Sequence, residues 1–303
     1  MISICIPVFN YDISTLITEI SSQIQTLNKN VEIIVMDDGS TKHQRTNREI
    51  CKNYTYIELP ENVGRAKIRN LFLKHAKNEY LLFLDCDSLL IDSNFLSNYL
   101  DTLKNKPSIV CGGRIYPDKC PSNNQRLSWK YGKFRESKPA HLRKLSSNKS
   151  FMTNNFLIHR ELLDEVKFDE RLTQYGHEDT LFGFELSKRN IPITHIENAV
   201  LNGEIETNEI FLSKTEKAIQ NLVKIEEYTK NDTEFIQDNK LLRSYQKIKN
   251  IKILIQFLFT IVKPSIRLLL VNGIVNLQLF NFYKLGTFLE TKKAADFSTA
   301  LSI

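Results

Sequence analysis

The sequence has no C-x-x-C pair. Its five cysteines, Cys5, Cys51, Cys86, Cys111 and Cys120, are odd in number and scattered, so neither a zinc site nor a disulfide framework is indicated. Unpaired thiols suit a reducing, cytoplasmic setting. Glycine is scarce, at 10 of 303 residues, and no glycine-rich loop with a basic residue follows the first apolar run. The opening "MISICIPVFN" lacks a basic region and a small-residue cleavage site, which argues against a signal peptide. No window holds 18 uninterrupted apolar residues, so no spanning helix is expected. Basic residues exceed acidic ones by 41 − 35 = 6, and no basic stripe is interleaved with aromatics. No nucleic-acid partner is expected; an anionic ligand or an anionic membrane surface fits the charge.

What is present is an alternation. "ISICIPVF", "VEIIVM", "YIEL", "EYLLFL" and "SIVCGG" are short apolar runs that read as buried strands. Between them lie helical patterns, the first opened by Asp12 as N-cap and carrying Ile13, Leu16, Ile17, Ile20, Ile24 and Leu27. Alternating strands and helices predict an α/β fold with a mostly parallel sheet covered on both faces. Ligands of such sheets bind beyond the carboxyl ends of the strands. Three polar clusters fall there, at residues 7–10, 37–40 and 85–87.

Residues 114–150 are polar, basic and rich in turn formers, and read as a long excursion. From about residue 210 the chain reads as helical, with "SKTE" at 213–216 as a capping box. Residues 251–283 are the most apolar stretch. Two readings stay open for it: a helix pair packed on the domain before it, or an interfacial membrane helix.

The polar clusters carry chemistry. In "VMDDGST", Asp37 and Asp38 can accept hydrogen bonds from a base or a ribose, or simply make an Asx-turn. "DCD" at 85–87 offers hard oxygen ligands for Mg²⁺ or Mn²⁺, the alternative being two solvated turn aspartates. Arg65 and Arg69 are spaced i, i+4 and share a helix face that can meet phosphate or form surface ion pairs. In "GHEDTLFGFEL", Glu178 and Asp179 begin a helix anchored by Leu181, Phe182 and Leu186. Acids there gain from the helix dipole, and one can act as a general base.

Taken in order, "ISICIPVFN", "VMDDGST", "ENVGRAKIRN", "LLFLDCDS" and "GHEDTLFGFEL" resemble the family 2 glycosyltransferases of the GT-A fold, over roughly residues 1–205. The resemblance implies inverting transfer of one sugar from a nucleotide-diphosphate sugar, expected to be UDP-linked, to an acceptor hydroxyl in polysaccharide or lipid-linked glycan synthesis. It places Pro7, Val8 and Phe9 at the nucleoside and Asp38 on the base, with Asp37 structural or facing the ribose. Arg65, Arg69, Asp85, Cys86 and Asn154 join the donor site. Mn²⁺ or Mg²⁺ would sit on Asp87 and Asp85, Asp179 would be the base, and Glu178 would position the acceptor. Where many relatives complete the metal site with histidine, this chain carries Asn202.

The resemblance divides the chain into a GT-A domain at 1–209, with a donor part at 1–113 and an acceptor part at 114–209, and a helical region at 210–303. The Q-x-x-R-W motif of processive synthases is absent, which favours addition of a single sugar. The expected location is cytoplasmic, peripheral on the inner face of the membrane if residues 251–283 bind lipid. Two other readings stand beside it. A sugar-phosphate nucleotidyltransferase would need a glycine-rich loop that "PVFNYD" does not supply. A catalytically weak nucleotide-sugar-binding subunit is favoured by Asn202 alone.

Overall fold

The computed structural model describes residues 1–27, 31–229 and 232–301, so residues 230–231 and 302–303 of the expected helical region lie outside the described residues. The chain forms two units. One comprises residues 1–117, 133–173 and 178–204; the other comprises 118–132, 174–177 and 205–303.

The first unit alternates strands and helices: β1 (Ile2–Val8), α1 (Ser14–Leu27), β2 (Glu32–Asp37), α2 (Gln44–Ile50), β3 (Thr55–Glu58), α3 (Arg65–Leu71), β4 (Tyr80–Leu84), β5 (Ser88–Leu89), α4 (Phe95–Thr102), β6 (Ile109–Cys111) and β7 (Arg114–Ile115). After α5 (Arg126–Tyr131), which belongs to the second unit, it continues with α6 (Ala140–Lys144), β8 (Asn155–His159), α7 (Arg160–Val166), α8 (Glu178–Lys188), β9 (Thr194–His195) and β10 (Val200–Asn202).

The main sheet has the order β3-β2-β1-β4-β8-β6-β9, and only β8 runs against the rest. Alternation along each strand sends residues to opposite faces. Ile4, Ile6, Val8, Leu82 and Leu84 pack with α1 and α4 on one face. Cys5, Met36, Phe83 and Phe156 pack with α3, α7 and α8 on the other. Phe83 stacks on Phe156 with centroids 4.8 Å apart, and Phe168 on Phe182 at 4.2 Å, which fixes the helix that carries Glu178 and Asp179. Asp12 caps α1 by accepting from the Ser14 amide at 2.9 Å.

Cys86 lies in a turn after β4. The basic stretch 114–150, which reads from the sequence as a long excursion, is not an open loop, because it holds α6 and a fully buried arginine. Arg143 donates to the carbonyls of Lys138, Cys111, Gly112 and Ile196 and meets His195 Nδ1 at 2.7 Å. Composition marks arginine as surface, and here it meets four backbone carbonyls, of which those of Cys111 and Gly112 also accept from the Ile196 and Asn198 amides.

In the second unit, α5 is joined by α9 (Asn208–Tyr228), α10 (Thr233–Asp238), α11 (Lys240–Lys247), α12 (Lys252–Val271) and α13 (Leu277–Leu301). The helix expected to start at "SKTE" starts instead at Asn208, capped by Thr207, and this extra turn brings Leu212 into the core. The core holds Leu127, Leu212, Phe259, Ile266, Leu270, Phe280 and Tyr283. Gly286 on α13 faces the Phe259 ring so closely that a Cβ there would lie 2.2 Å from it.

Only one side of α12 is used in this core. Ile253, Phe257, Ile261 and Leu268 are 78%, 64%, 61% and 64% exposed, and Leu254, Leu258 and Leu269 are exposed beside them. Within the 23-residue segment Lys249–Val271 an 18-residue window has a mean hydropathy of 1.8, so the segment is long and apolar enough by length and composition to cross a membrane.

Candidate active site at the strand ends

The carboxyl ends of β1, β2 and β4 bring the polar clusters together, as a parallel sheet requires. Asn10 closes the first corner: its Oδ1 accepts from the amides of Thr41 and Lys42 at 2.8 and 3.0 Å. Asp37 is fully buried and structural, with Oδ1 accepting from the Ser40 amide at 2.7 Å and Oδ2 from the Tyr56 hydroxyl at 2.9 Å. Gly39 permits that turn with φ +69°, and a Cβ there would meet the Glu61 backbone at 2.6 Å. Asp38 accepts from the amides of Val63 and Gly64 at 2.7 and 3.2 Å, so it fixes the loop that leads into α3. Burial raises its pKa, against those two hydrogen bonds.

Pro7 is half-buried and Phe9 is 49% exposed, so both can line a ligand. Val8 cannot: it is 1% exposed and belongs to the core under α1. The alternation of β1 decides this, since one residue in two along a strand faces inward. Cys86 is also displaced from the expected donor set. It packs against the core, and burial, with the charges of Asp87 and Asp85, pushes its thiol up to about 12. It is a neutral filler.

Arg65 and Arg69 stand on one face of α3 and converge on Asp85, at 3.0 and 2.9 Å. Arg65 Nε lies 2.9 Å from Glu178, and Arg69 Nη1 lies 3.8 Å from it. The side chain of Arg69 is 1% exposed and that of Arg65 is 37% exposed, so Arg65 is the member that reaches solvent. Burial alone would raise the pKa of Asp85, but Arg65, Arg69 and Arg114 hold it below the usual carboxylate range. Asp85 thus spends both oxygens on two guanidinium groups.

Asp87 finds a different partner. β5, β10 and β7 form a small second sheet with Asn202 opposite Ser88 and Val200 opposite Arg114. That register places the Arg114 Nη2 donor 3.1 Å from Asp87 Oδ2 and also on Asn202 Oδ1. The Tyr116 ring lies 5.4 Å from the guanidinium carbon. Desolvation works against the charge on Arg114, but Tyr116, Asp87, Glu136 and Asp85 outweigh it and raise its pKa. Arg114 was not singled out from the sequence. The available signal was an arginine directly after "CGG" at a strand end; its acid and amide partners lie 27 and 88 residues away in sequence.

Asp85, Asp87 and Asn202 were expected to hold Mn²⁺ or Mg²⁺. The structure places each of them against arginine, so the donor set as built does not fit a resident divalent ion. Among the described residues, no three His, Cys, Asp or Glu side chains are grouped to hold one.

The "TNN" segment splits. Asn155 is scaffold, donating to the carbonyls of Gly113 and Asn198 and accepting from the Tyr99 hydroxyl at 2.6 Å. Asn154 is 4% exposed, and both its amide nitrogen and oxygen are buried without a hydrogen-bond partner. A buried amide left unsatisfied is costly unless a ligand or water completes it. Beside Glu178, Asp179 is half-buried at the start of α8 and accepts from the Thr180 amide at 2.6 Å. Burial, then the charge of Glu178, pushes its pKa up to about 7.

A mostly parallel sheet with polar clusters at three strand ends, two of them acidic, and a Glu-Asp pair on a later helix defines a GT-A glycosyltransferase fold. The chain belongs to glycosyl transferase family 2, whose family model matches residues 3–167. Over 90 residues it is 41% identical to an uncharacterized glycosyltransferase of Rickettsia conorii, covering 29% of this chain and 15% of that one. It is 27% identical over 159 residues to a teichoic acid poly(glycerol phosphate) polymerase of Staphylococcus epidermidis, covering 50% and 21%. The chain therefore spans less than a quarter of the length of either relative. A mannosyltransferase of Pyrobaculum calidifontis, solved with GDP-Man and Mn²⁺, superposes with TM-score 0.55 at 14% identity, covering 98% of this chain and 86% of that one.

Proposed function

We propose that the chain is an inverting glycosyltransferase that moves one hexosyl group from a nucleotide-diphosphate sugar, UDP-linked by preference, to a hydroxyl of a polysaccharide or lipid-linked glycan. The observation that carries this reading is the pair Glu178–Asp179. One carboxylate is pinned by two arginines, and its neighbour is held near neutrality, which is the range a general base needs. In this reading the acceptor hydroxyl gives its proton to Asp179. Its oxygen then attacks the anomeric carbon, and the bond from that carbon to the diphosphate oxygen breaks. Pro7, Phe9 and Asp38 take the nucleoside. Arg65 faces the phosphates, and the unsatisfied amide of Asn154 takes a sugar hydroxyl.

The Mn²⁺ in the mannosyltransferase supports a second reading, in which a divalent ion accompanies the donor here too. The teichoic acid polymerase supports a cell-envelope polymer as the acceptor class. The exposed apolar side of α12 supports peripheral contact of residues 251–283 with the inner face of a membrane.

The test is release of nucleoside diphosphate from a panel of UDP- and GDP-sugars, alone and with glycan acceptors. Asp179→Asn should lower transfer by about 10²-fold or more while nucleotide binding stays intact. Full transfer by that variant would remove Asp179 as the base.

A further inference from the structure

We infer that Arg114 is the built-in cation of this site, holding the donor's diphosphate from its fixed place between Asp87 and Asn202, so that nucleotide binding needs no divalent ion. The inference rests on the reading of the site as a nucleotide-sugar site and adds the residue that takes the diphosphate charge.

Four observations carry it. First, the position is set by backbone rather than by a flexible reach. β7 begins at Arg114, β10 ends at Asn202 and β5 begins one residue after Asp87, with all three strands hydrogen-bonded side by side. The Gly203 amide also donates to the Asp87 carbonyl at 2.9 Å, which ties the end of β10 to the D-x-D turn. Second, three carboxylate oxygens and the amide oxygen of the expected metal set already meet guanidinium groups. Asp85 serves Arg65 and Arg69, while Asp87 Oδ2 and Asn202 Oδ1 both face Arg114 Nη2. Third, the guanidinium has donor capacity in reserve. Its Nε is buried without an acceptor, and a planar fork with unused N–H groups matches phosphate oxygens. Fourth, Asn202 suits this partner. A neutral amide oxygen accepts from a guanidinium while its Nδ2 donates to the Glu204 carbonyl at 2.7 Å, whereas a protonated imidazole there would repel Arg114.

A divalent ion and a guanidinium compete for the same two oxygens, and like charges at that separation repel strongly in a half-buried site. Arg114 therefore does what an ion would do for the leaving group: it offsets the charge that builds on the diphosphate as the sugar departs.

The experiment is calorimetric titration of the full chain with UDP and with GDP, in excess EDTA and in saturating MnCl₂. The expected result is binding of at least one nucleotide with affinities in EDTA and Mn²⁺ that agree within about threefold. Arg114→Met should weaken that binding by about tenfold or more, and Arg114→Lys should weaken it less. Binding that is about tenfold or more tighter with Mn²⁺, for the unsubstituted chain, would overturn the inference and leave the glycosyltransferase reading standing. Binding of neither nucleotide under either condition would overturn both. The comparison of EDTA with Mn²⁺ needs no variant, so a misfolded Arg114→Met protein would not blunt it.

Discussion

Glu178 and Asp179 are neighbours of like charge with opposite fates. Glu178 is turned onto Arg65 and Arg69, and its negative charge is one reason its neighbour resists ionisation. Asp179 is the group whose protonation changes near pH 7. A base must be deprotonated to act, so transfer should rise with pH through about 7 and level off above it. Glu178→Gln removes a charge that raises the Asp179 pKa, and the rising limb should therefore move to lower pH. Initial rates across pH about 5.5 to 8.5 would check both statements. A flat profile in the unsubstituted chain would contradict the assignment, as would a limb that Glu178→Gln moves towards alkali. Asp85 shows how little a motif says about the job of its members. It stands in the D-x-D, but its oxygens orient the arginines.

The small sheet of β5, β10 and β7 is where element geometry decides the site. At Gly203 a Cβ would lie 2.6 Å from the Asp87 carbonyl oxygen. Gly203→Ala should push β10 away from the D-x-D turn, lower stability by about 1–3 kcal/mol and weaken nucleotide binding with it. Thermal unfolding with and without UDP would show this, and an unchanged melting temperature with full binding would mean that the corner relaxes at no cost. These strands were not legible in the sequence, because two- and three-residue strands exist only through their pairing. β1, β2 and β4 were legible, because apolar runs buried on both faces leave a continuous signature. So were Asp37, Asp38, Asp85 and Asp87, which interrupt those runs at the carboxyl ends. Their partners were not, since a sequence shows that an acid is present but not which arginine it meets. Arg114 and Arg143 are the cost of that blindness: both looked like members of a solvated basic stretch.

At the scale of the whole molecule, two separate cores replace the single boundary read near residue 210. The second draws in 118–132 and 174–177, and linear composition carries no sign of such returns. Two properties also act together here. The chain carries a net charge of +6, and α12 leaves an apolar side exposed just after Arg243, Lys247, Lys249 and Lys252, all of them exposed. A basic cluster draws a chain towards anionic lipid over a Debye length of about 10 Å at 0.1 M salt, and immersed side chains then hold it there. The two contributions respond differently to salt, which separates them. The protein should sediment with phosphatidylglycerol vesicles at low ionic strength and less so as NaCl rises. Lys249→Glu with Lys252→Glu changes the local charge by four. At about 1 kcal/mol per charge, that should weaken partitioning by about 10²–10³-fold. Phe257→Asp with Ile261→Asp should abolish the binding that survives high salt, because those side chains are exposed and play no part in the helical core. Truncation at residue 251 cannot make this distinction, since it would also remove Phe259, Ile266, Leu270, Phe280 and Tyr283 from that core. If the intact chain stays in the supernatant at low salt, or if the aspartate pair sediments as well as the unsubstituted protein, the exposed side of α12 does not meet lipid.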